Sequence, residues 1–348
     1  MHVTNLRQVA KLAGVSVATA SRAINAPESV RPATRERVER AMRDLLYVGS
    51  RTKTTEQMAG LLVPDLLNPS FAQITAAIES AAASVGWSCV VTTTGDDAGI
   101  ERTHAQQLFT RQITTMVFVS SVAANTAEHL PHYQALMDSC ADLLFINGAP
   151  SRLDAMAVSD DEMAAGRIAA EYLVELGHRH IGYITGKATS SLRSPLRVQG
   201  MTAMLRDVDG ATLHTVHGDW GVAGGATTAE ALLTRYPDTT ALICASDLTA
   251  IGAMNYCRRN GISIPDDISV LGSDGIEACE WVRPTLSTIA QPVQAVAEFA
   301  ADWLVTAADR RGQARASEML FRPTLIERES TARRPKVRST PRSSPRRD

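Results

Sequence analysis

The sequence predicts an α/β protein in which a small helical domain at the N-terminus precedes a larger body of parallel sheets flanked by helices. The first observation is that roughly the first fifty residues are basic and contain short amphipathic helices on either side of a glycine. The second is that ten short apolar runs alternate with amphipathic segments after Met58. Such alternation is typical of parallel sheets covered on both faces, and ten strands favour two sheets rather than one.

Charge is distributed unevenly along the 348 residues. Residues 1–53 carry ten Lys or Arg and four Asp or Glu, whereas residues 54–332 carry eighteen and thirty-two. The last sixteen residues are basic again, with seven Lys or Arg and one Asp. A small basic unit on an acidic body is expected where that unit contacts nucleic-acid phosphates. Chance clustering on a solvated surface is the alternative, and charge alone does not decide between the two.

Composition excludes several other classes of protein. No apolar run approaches the roughly 20 residues that cross a bilayer, and the first residues show no secretory signal. The five cysteines are scattered and form no C-x-x-C pair, which argues against a disulfide framework and against a zinc site. We therefore expect a cytoplasmic protein that uses no metal and no cofactor.

The N-terminal domain is predicted to contain three helices. The first has apolar residues at helical spacing up to Ala13, and Gly14 then permits the left-handed backbone of a tight turn. Ser16 is a suitable N-cap for a second helix over residues 17–24, and a third helix is predicted over residues 33–46. This is the pattern of a helix-turn-helix, whose second helix enters the major groove of DNA.

The second helix and the ends of the motif carry candidate DNA contacts. They are Thr4, Ser16, Val17, Ala18, Thr19, Ser21, Arg22 and Asn25. Arg22 can reach guanine edges or phosphate, whereas Val17 and Ala18 can make only apolar contacts, for instance with thymine methyl groups. The small hydroxyl side chains suit phosphate oxygens. Each residue can equally be an ordinary cap or surface residue, so the prediction rests on the combined pattern.

The stretch AKLAGVSVAT at residues 10–19, followed by Ser21 and Arg22, resembles the signature of the lac repressor (LacI/GalR) family of transcription regulators. The resemblance continues to about Ser330, with landmarks such as LNPSF at residues 67–71 and IPDDISV at residues 264–270. It implies a periplasmic-binding-protein-like (type I) body whose two lobes close on a small molecule. It also implies a homodimer that binds a pseudo-palindromic DNA operator, usually with repression as the outcome.

The segment after the third helix departs from the family pattern. The family usually continues Y-x-P-x-x-x-A-x-x-L, a hinge helix whose leucine wedges into the minor groove and bends the DNA. Gly49, Lys53 and Glu56 stand where the proline, alanine and leucine would be. We therefore predict a polar linker over residues 48–58 and weak bending of DNA. Arg51 and Lys53 are candidate phosphate contacts, and an inert tether is the alternative.

By the family pattern, the cleft between the lobes is lined by residues just beyond strands or at helix starts. They are Phe71, Asn147, Arg197, Trp220, Ser246 and Asp274. An aromatic face suits the C–H edges of a polyol, while Arg197 and Asp274 offer donors and acceptors for vicinal hydroxyls. Core packing and a structural ion pair are the alternatives. Lys187 and Arg193 add positive charge nearby, so a sugar acid or sugar phosphate is a further hypothesis for the effector.

Two classes of function remain to be compared. An enzyme on a Rossmann-like body with an accessory DNA-binding domain needs a fingerprint, and the common nucleotide, zinc-protease and serine-hydrolase motifs are absent. We therefore predict a ligand-responsive repressor of carbohydrate or sugar-acid metabolism genes that is not an enzyme. The predicted domains are residues 1–47 for the helix-turn-helix, 48–58 for the linker, 59–330 for the effector-binding and dimerisation domain, and 331–348 for a disordered basic tail.

Overall fold

The structure is a computed structural model, which describes residues 6–25, 29–44, 57–95, 97–120, 131–139, 141–148, 153–186, 194–307 and 317–334. The chain forms two compact units, Met1–Gln57 and Met58–Asp348. No helix within these ranges is long and apolar enough to cross a membrane.

The described part of the first unit contains three α-helices, as the sequence predicts. They are α1 (Leu6–Ala13), α2 (Val17–Asn25) and α3 (Pro32–Asp44). Their small apolar core consists of Val9, Ala13, Ala23, Val38 and Ala41, with Val15 and Ile24 packed at its edge. Ala10 and Ala20 are also buried, and such small side chains allow helices to approach closely.

The turn between α1 and α2 is held from outside the motif. Gly14 has a φ of 63°, in the left-handed region that glycine adopts without strain. The Arg37 guanidinium, on α3, donates two hydrogen bonds to the Ala13 carbonyl, at 3.1 and 2.7 Å, and one to the Gly14 carbonyl at 2.9 Å. Since the last carbonyls of a helix lack partners within it, Arg37 supplies the missing donors and fixes the turn.

The second unit has two lobes, each built on a six-stranded sheet. The strands of lobe 1 are β1 (Gln57–Val63), β2 (Trp87–Thr93), β3 (Thr115–Val119), β4 (Asp142–Ile146), β5 (Met156–Asp160) and β11 (Ser317–Phe321), in the spatial order β11-β5-β4-β3-β1-β2. All five residues of β3 are buried, whereas Trp87 is the only buried residue of edge strand β2. Continuous burial is typical of a central parallel strand covered on both faces.

Four described helices cover lobe 1. They are α4 (Pro69–Ser84), α5 (Ala98–Thr110), α6 (Pro131–Asp138) and α11 (Val293–Val305). The residues around Asn68 explain where α4 begins. The Asn68 side chain accepts a hydrogen bond from the Ser70 amide, and Pro69 occupies the first helical position. One apolar cluster fills the space under α4 and α11, and a second fills the space under α5 and α6.

Lobe 2 repeats this arrangement on the second sheet. Its strands are β6 (His180–Thr185), β7 (Thr212–His217), β8 (Ala241–Cys244), β9 (Ser269–Asp274), β10 (Ser287–Ala290) and β12 (Thr324–Ile326), in the order β12-β10-β9-β8-β6-β7. Its helices are α7 (Glu162–Glu175), α8 (Ser194–Leu205), α9 (Gly221–Arg235) and α10 (Asp247–Arg259). The edge strand β12 runs antiparallel to β10, while the other pairs in this sheet are parallel.

The chain crosses between the lobes at three described places: from β5 to α7, from β10 to α11 and from β11 to β12. The sequence analysis found neither β11 nor β12, so the third crossing was missed. β12 has only three residues, none of them fully buried, so its apolar pattern is too short to identify a strand.

The residues before Arg334 are part of lobe 2, although the sequence analysis started the tail at residue 331. Buried His178 lies 3.0 Å from the Thr240 hydroxyl through Nδ1 and 3.1 Å from the Ala332 carbonyl through Nε2. The Ala332 amide donates to Ser269 Oγ, and the Arg334 amide donates to the Leu176 carbonyl. These bonds fix the backbone up to Arg334, four residues beyond the predicted boundary.

His178 is expected to make stability depend on pH. Burial lowers its pKa from the ordinary value of 6.5, and the charges of Arg334 and Arg179 act in the same direction, against the hydrogen bond to Ala332. A histidine whose pKa is lower in the folded protein stabilises the fold fully above the unfolded pKa, and this stabilisation is lost as pH falls below about 6.5. We expect the melting temperature to fall more steeply between about pH 7.5 and 5.5 in the natural protein than in His178→Gln. Parallel slopes would contradict this.

Candidate functional site

The helix α2 of the first unit has one buried and one exposed face. Ala20 and Ala23 are buried, whereas Val17, Ala18 and Arg22 are exposed. Arg22 Nε lies 3.5 Å from the Ala18 carbonyl oxygen, and its two terminal nitrogens make no hydrogen bond to the described residues. The exposed face of α2 therefore presents one long cation among short apolar side chains.

The hydroxyl groups at the start of α2 serve the helix itself. Ser16 Oγ accepts a hydrogen bond from the Thr19 amide at 3.1 Å and lies 2.8 Å from Thr19 Oγ1. This is an N-cap, and it leaves the exposed end of α2 with the backbone donors and partial positive charge that attract phosphate. Ser21 is half-buried. Thr4, Arg51, Lys53 and the Asn25 side chain lie outside the described residues.

The two sheets of the second unit define where a ligand can bind. In lobe 1 the strand order reverses between β1 and β3, and in lobe 2 it reverses between β6 and β8. Ligands of open parallel sheets bind beyond the carboxyl ends of the strands at such points. At these ends Ser120, Asn147 and Asp274 have φ values of 46°, 62° and 121°. Non-glycine residues rarely adopt this region, and such strain tends to occur at functional sites.

Arg197 is held in the first turn of α8 by a buried ion pair. Its Nε donates to Glu162 Oε2 at 2.6 Å, and its Nη1 donates to the Ala245 carbonyl at 3.0 Å. The two side chains are only 12% and 14% exposed. Burial alone would lower the Arg197 pKa, but Glu162, with smaller contributions from Tyr183 and Asp274, raises the pKa above its usual value. Nη2 makes no hydrogen bond to any described residue, so a charged, oriented donor is left over.

Asp274 ends β9 and is tied to the crossover before α11. Its Oδ1 accepts from Gln291 Nε2 at 2.8 Å, and the Gln291 amide donates to its carbonyl at 3.1 Å. Burial and the neighbouring Asp247 raise the Asp274 pKa well above its usual range, against the effects of Arg197 and Gln291. Oδ2 has no hydrogen bond within the described part of the lobe. Gln291 Nε2 also lies 3.4 Å from Ser70 Oγ on lobe 1, so this residue joins both lobes.

Asp247, next to Asp274, has a structural task. Its Oδ2 accepts from the backbone amides of Gly275 and Ile276 at 2.7 and 2.9 Å, and its Oδ1 accepts from Thr288 Oγ1 at 2.6 Å. The side chain is fully buried. Its acceptor capacity is largely used, so it fixes the loop after β9 in place and thereby positions Asp274.

Trp220 lies at the start of α9, against the strand end that bears Gly186. A Cβ atom added to Gly186 would lie 2.0 Å from Trp220 Cε2, so only glycine permits this contact. The residue remains 45% exposed, which leaves much of its surface accessible beside the switch point of lobe 2. This arrangement gives a flat apolar surface beside the carboxyl end of β6.

The remaining predicted effector contacts have local roles. Ser246 caps α10, with its hydroxyl and the Thr249 amide 3.2 Å apart. Phe71 packs on the core of lobe 1, and Asn147 Oδ1 accepts a weak hydrogen bond of 3.4 Å from the Asp160 amide. Lys187 and Arg193 lie outside the described residues. The sequence analysis missed Glu162 and Gln291, because their roles depend on partners distant in the chain.

Two family models match the chain. Residues 5–50 match the bacterial regulatory proteins of the lacI family, and residues 170–331 match a periplasmic binding protein-like domain. The regulator MalR of Streptomyces coelicolor is 32% identical over 349 residues, which cover 97% of this chain and 99% of MalR. The repressor CytR of Escherichia coli is 32% identical over 298 residues, covering 82% and 84%.

Solved structures resemble the whole chain as well. The lac repressor dimer bound to operator and the anti-inducer ONPF is 26% identical, with a TM-score of 0.78, over 95% of this chain and 100% of that one. The complex of the transcriptional regulator CelR with cellobiose is 28% identical, with a TM-score of 0.69, over 94% and 99%. The similarity thus extends over both units of the chain.

Proposed function

The chain belongs to the lacI family of bacterial regulatory proteins, and from that premise we propose that it represses carbohydrate-metabolism genes under the control of a neutral sugar or polyol. In this proposal a cytoplasmic homodimer places two α2 helices on a pseudo-palindromic operator. The effector binds between the lobes of the second unit and shifts the population of DNA-competent dimers. The protein carries out no catalysis.

The observation that carries the proposed effector class is the pair formed by Arg197 and Asp274. Each has one group, Nη2 or Oδ2, without a partner among the described residues, and each is fixed by a neighbour. They are close enough for the Arg197 charge to act on the Asp274 pKa. Vicinal hydroxyls both donate and accept hydrogen bonds, so they match this donor and acceptor, while Trp220 suits the apolar face of a sugar ring.

The charges in the described cleft favour a neutral effector over a sugar acid. Glu162 already neutralises Arg197, and Asp160 and Asp274 add carboxyl groups nearby. An anionic ligand would have to compete with Glu162 for the guanidinium and would bring a second negative charge close to that carboxylate. CelR, in complex with cellobiose, supports a carbohydrate. A sugar acid held by Arg193 is the alternative proposal.

A thermal-shift screen of neutral sugars and their matching acids tests this proposal. Each compound that raises the melting temperature is then added to the protein on an operator obtained by in vitro selection. We expect a neutral sugar to stabilise the protein and to change its operator affinity by about 5- to 150-fold, the usual size of an allosteric coupling. Stabilisation by acids alone would overturn the neutral class. If no compound both stabilises the protein and alters DNA binding, the effector-controlled mechanism is wrong.

A further inference from the structure

Lobe 2 has a second concavity, a groove of about 590 Å³ between α7 and β12. We call it the α7–β12 groove; it is lined by Ile168, Glu171, Tyr172 and Glu175 on α7 and by residues 322–325 and Glu327 around β12. The groove follows the C-terminal half of α7, whereas Glu162, which belongs to the effector cleft, is the first residue of that helix. The groove is therefore separate from the cleft along α7.

The α7–β12 groove has acidic walls and an apolar floor. Glu171, Glu175 and Glu327 contribute three carboxylates against one cation, Arg322. Glu171 also makes a long, half-exposed ion pair of 3.6 Å with Arg167, a kind of contact that contributes little in water. Buried Tyr172, with Ile168 and Leu325, forms the apolar part. Such a surface suits an extended basic peptide whose long side chains pack their methylene stems and pair their charges.

The chain leads a basic segment to this groove. The Thr331 hydroxyl lies 2.7 Å from the Tyr172 hydroxyl, and the Arg334 amide donates to the Leu176 carbonyl, directly after Glu175. Residues 335–348 follow, with five Lys or Arg and one Asp. Fourteen residues can span up to about 46 Å, whereas the α7 wall from Ile168 to Glu175 measures about 10 Å. The segment 335–348 is therefore long enough to extend along the whole α7 wall of the groove.

We propose that the segment 335–348 docks in the α7–β12 groove of its own chain, with its cations paired to Glu171, Glu175 and Glu327. Individual exposed ion pairs are weak. Covalent attachment nevertheless gives the segment an effective concentration on the order of 1 mM, so docking needs only modest intrinsic affinity. Docking keeps these cations away from DNA phosphates. The groove thus sets how strongly the protein binds DNA of any sequence, independently of the effector.

Photo-crosslinking in the full-length protein tests the docking. Val337, an uncharged position in the segment, is replaced by p-benzoylphenylalanine, and crosslinked peptides are identified by mass spectrometry. We expect crosslinks to α7 and to residues 322–327 of the same chain, and their yield should fall several-fold between about 50 and 300 mM salt, where charges are screened more strongly. Mixing isotopically heavy and light chains separates contacts within a chain from contacts between chains. Crosslinks mainly to the N-terminal unit or to a second chain would overturn the proposal.

Matched charge variants test the role of the carboxylates. The groove variant is Glu171→Gln/Glu175→Gln/Glu327→Gln, and the control variant is Asp207→Asn/Asp209→Asn/Glu230→Gln, which removes three exposed carboxylates elsewhere in lobe 2. We expect the groove variant to lose about ten-fold in crosslink yield and the control to change less than about two-fold. Equal losses would show that only net charge matters and would overturn the proposal.

DNA of random sequence gives a second readout. Cations released from the groove are free to contact phosphates, so the groove variant should bind such DNA several-fold more tightly than the control, with a steeper dependence on salt. When the tail substitutions Arg342→Gln/Arg346→Gln/Arg347→Gln are added to the groove variant, they should abolish this gain without disturbing lobe 2. Equal affinities of the groove and control variants for random DNA would contradict the proposed consequence of docking.

Discussion

Arg22→Gln is expected to lower operator affinity by about 5- to 150-fold, the range that corresponds to one well-formed contact between arginine and guanine. Three features make Arg22 the main candidate for base recognition. The Ser16 and Thr19 hydroxyls are engaged in the cap of α2. Val17 and Ala18 can offer only apolar contacts. Glu56 stands where the family pattern predicts a leucine, so we expect the minor groove to contribute less to specificity.

Comparison with a second charge-removing variant distinguishes base recognition from phosphate contact. Arg7→Gln removes an exposed cation from α1 in the same unit. A phosphate contact weakens binding to all sequences alike, whereas a base contact weakens binding to the operator more than to random DNA. We expect Arg22→Gln to show the second behaviour and Arg7→Gln the first. Proportional losses on both kinds of DNA for Arg22→Gln would reassign Arg22 to phosphate, and unchanged operator affinity would exclude it from the interface.

The sequence was sufficient for those parts of the fold that depend on local patterns. The predicted second helix, residues 17–24, ends one residue before the observed α2, because caps and glycine turns are local signals. β12 was missed because it is too short to carry a period. The hydrogen bonds that Arg37 donates to the α1 end were missed for another reason, since they join residues more than twenty positions apart.

The same distinction explains the candidate effector site. Resemblance to a family placed Arg197, Trp220 and Asp274 at strand ends or helix starts, where the structure also has them. It could not show which of their atoms are already engaged, because Glu162 and Gln291 reach them from other elements. Ser246 illustrates the reverse case. A serine before a helix has two common uses, as a cap and as a ligand contact, and only the coordinates show the cap.

Two adjacent aspartates show why residue type alone does not identify a ligand contact. Burial raises the pKa of both aspartates, and the charge of Asp247 raises the pKa of Asp274 further. Asp247 is satisfied by two backbone amides and a hydroxyl, whereas the Asp274 carboxyl accepts one hydrogen bond from the described residues, donated by Gln291 Nε2. The loop fixed by Asp247 thus holds Asp274 with an acceptor to spare. The two aspartates can be told apart only by the hydrogen-bond partners that the fold brings to each of them.

Glu162→Gln is expected to change which effector the cleft accepts. In the natural protein Glu162 neutralises Arg197 at 2.6 Å inside the cleft. The glutamine keeps the shape and can still accept the Nε hydrogen bond, but it leaves the guanidinium charge uncompensated. We expect the affinity for a sugar acid to rise by about ten-fold relative to its neutral counterpart, measured by calorimetry with the pair of compounds. Glu230→Gln, on the exposed side of α9, is the control and should leave this ratio unchanged.

Arg197→Gln is expected to abolish the response to any effector, while operator binding without effector persists. Removing one partner of a buried ion pair leaves the other charge unpaired and destabilises a protein by about 3–5 kcal/mol. The double variant Glu162→Gln/Arg197→Gln removes this penalty, so it should recover melting temperature but not effector binding. Recovery of binding in the double variant would show that Arg197 only supports the fold. For the single variant Glu162→Gln, an unchanged ratio of sugar-acid to neutral-sugar affinity would show that charge pairing does not select the effector. Glutamine and glutamate have nearly the same shape, so charge is the main difference between them.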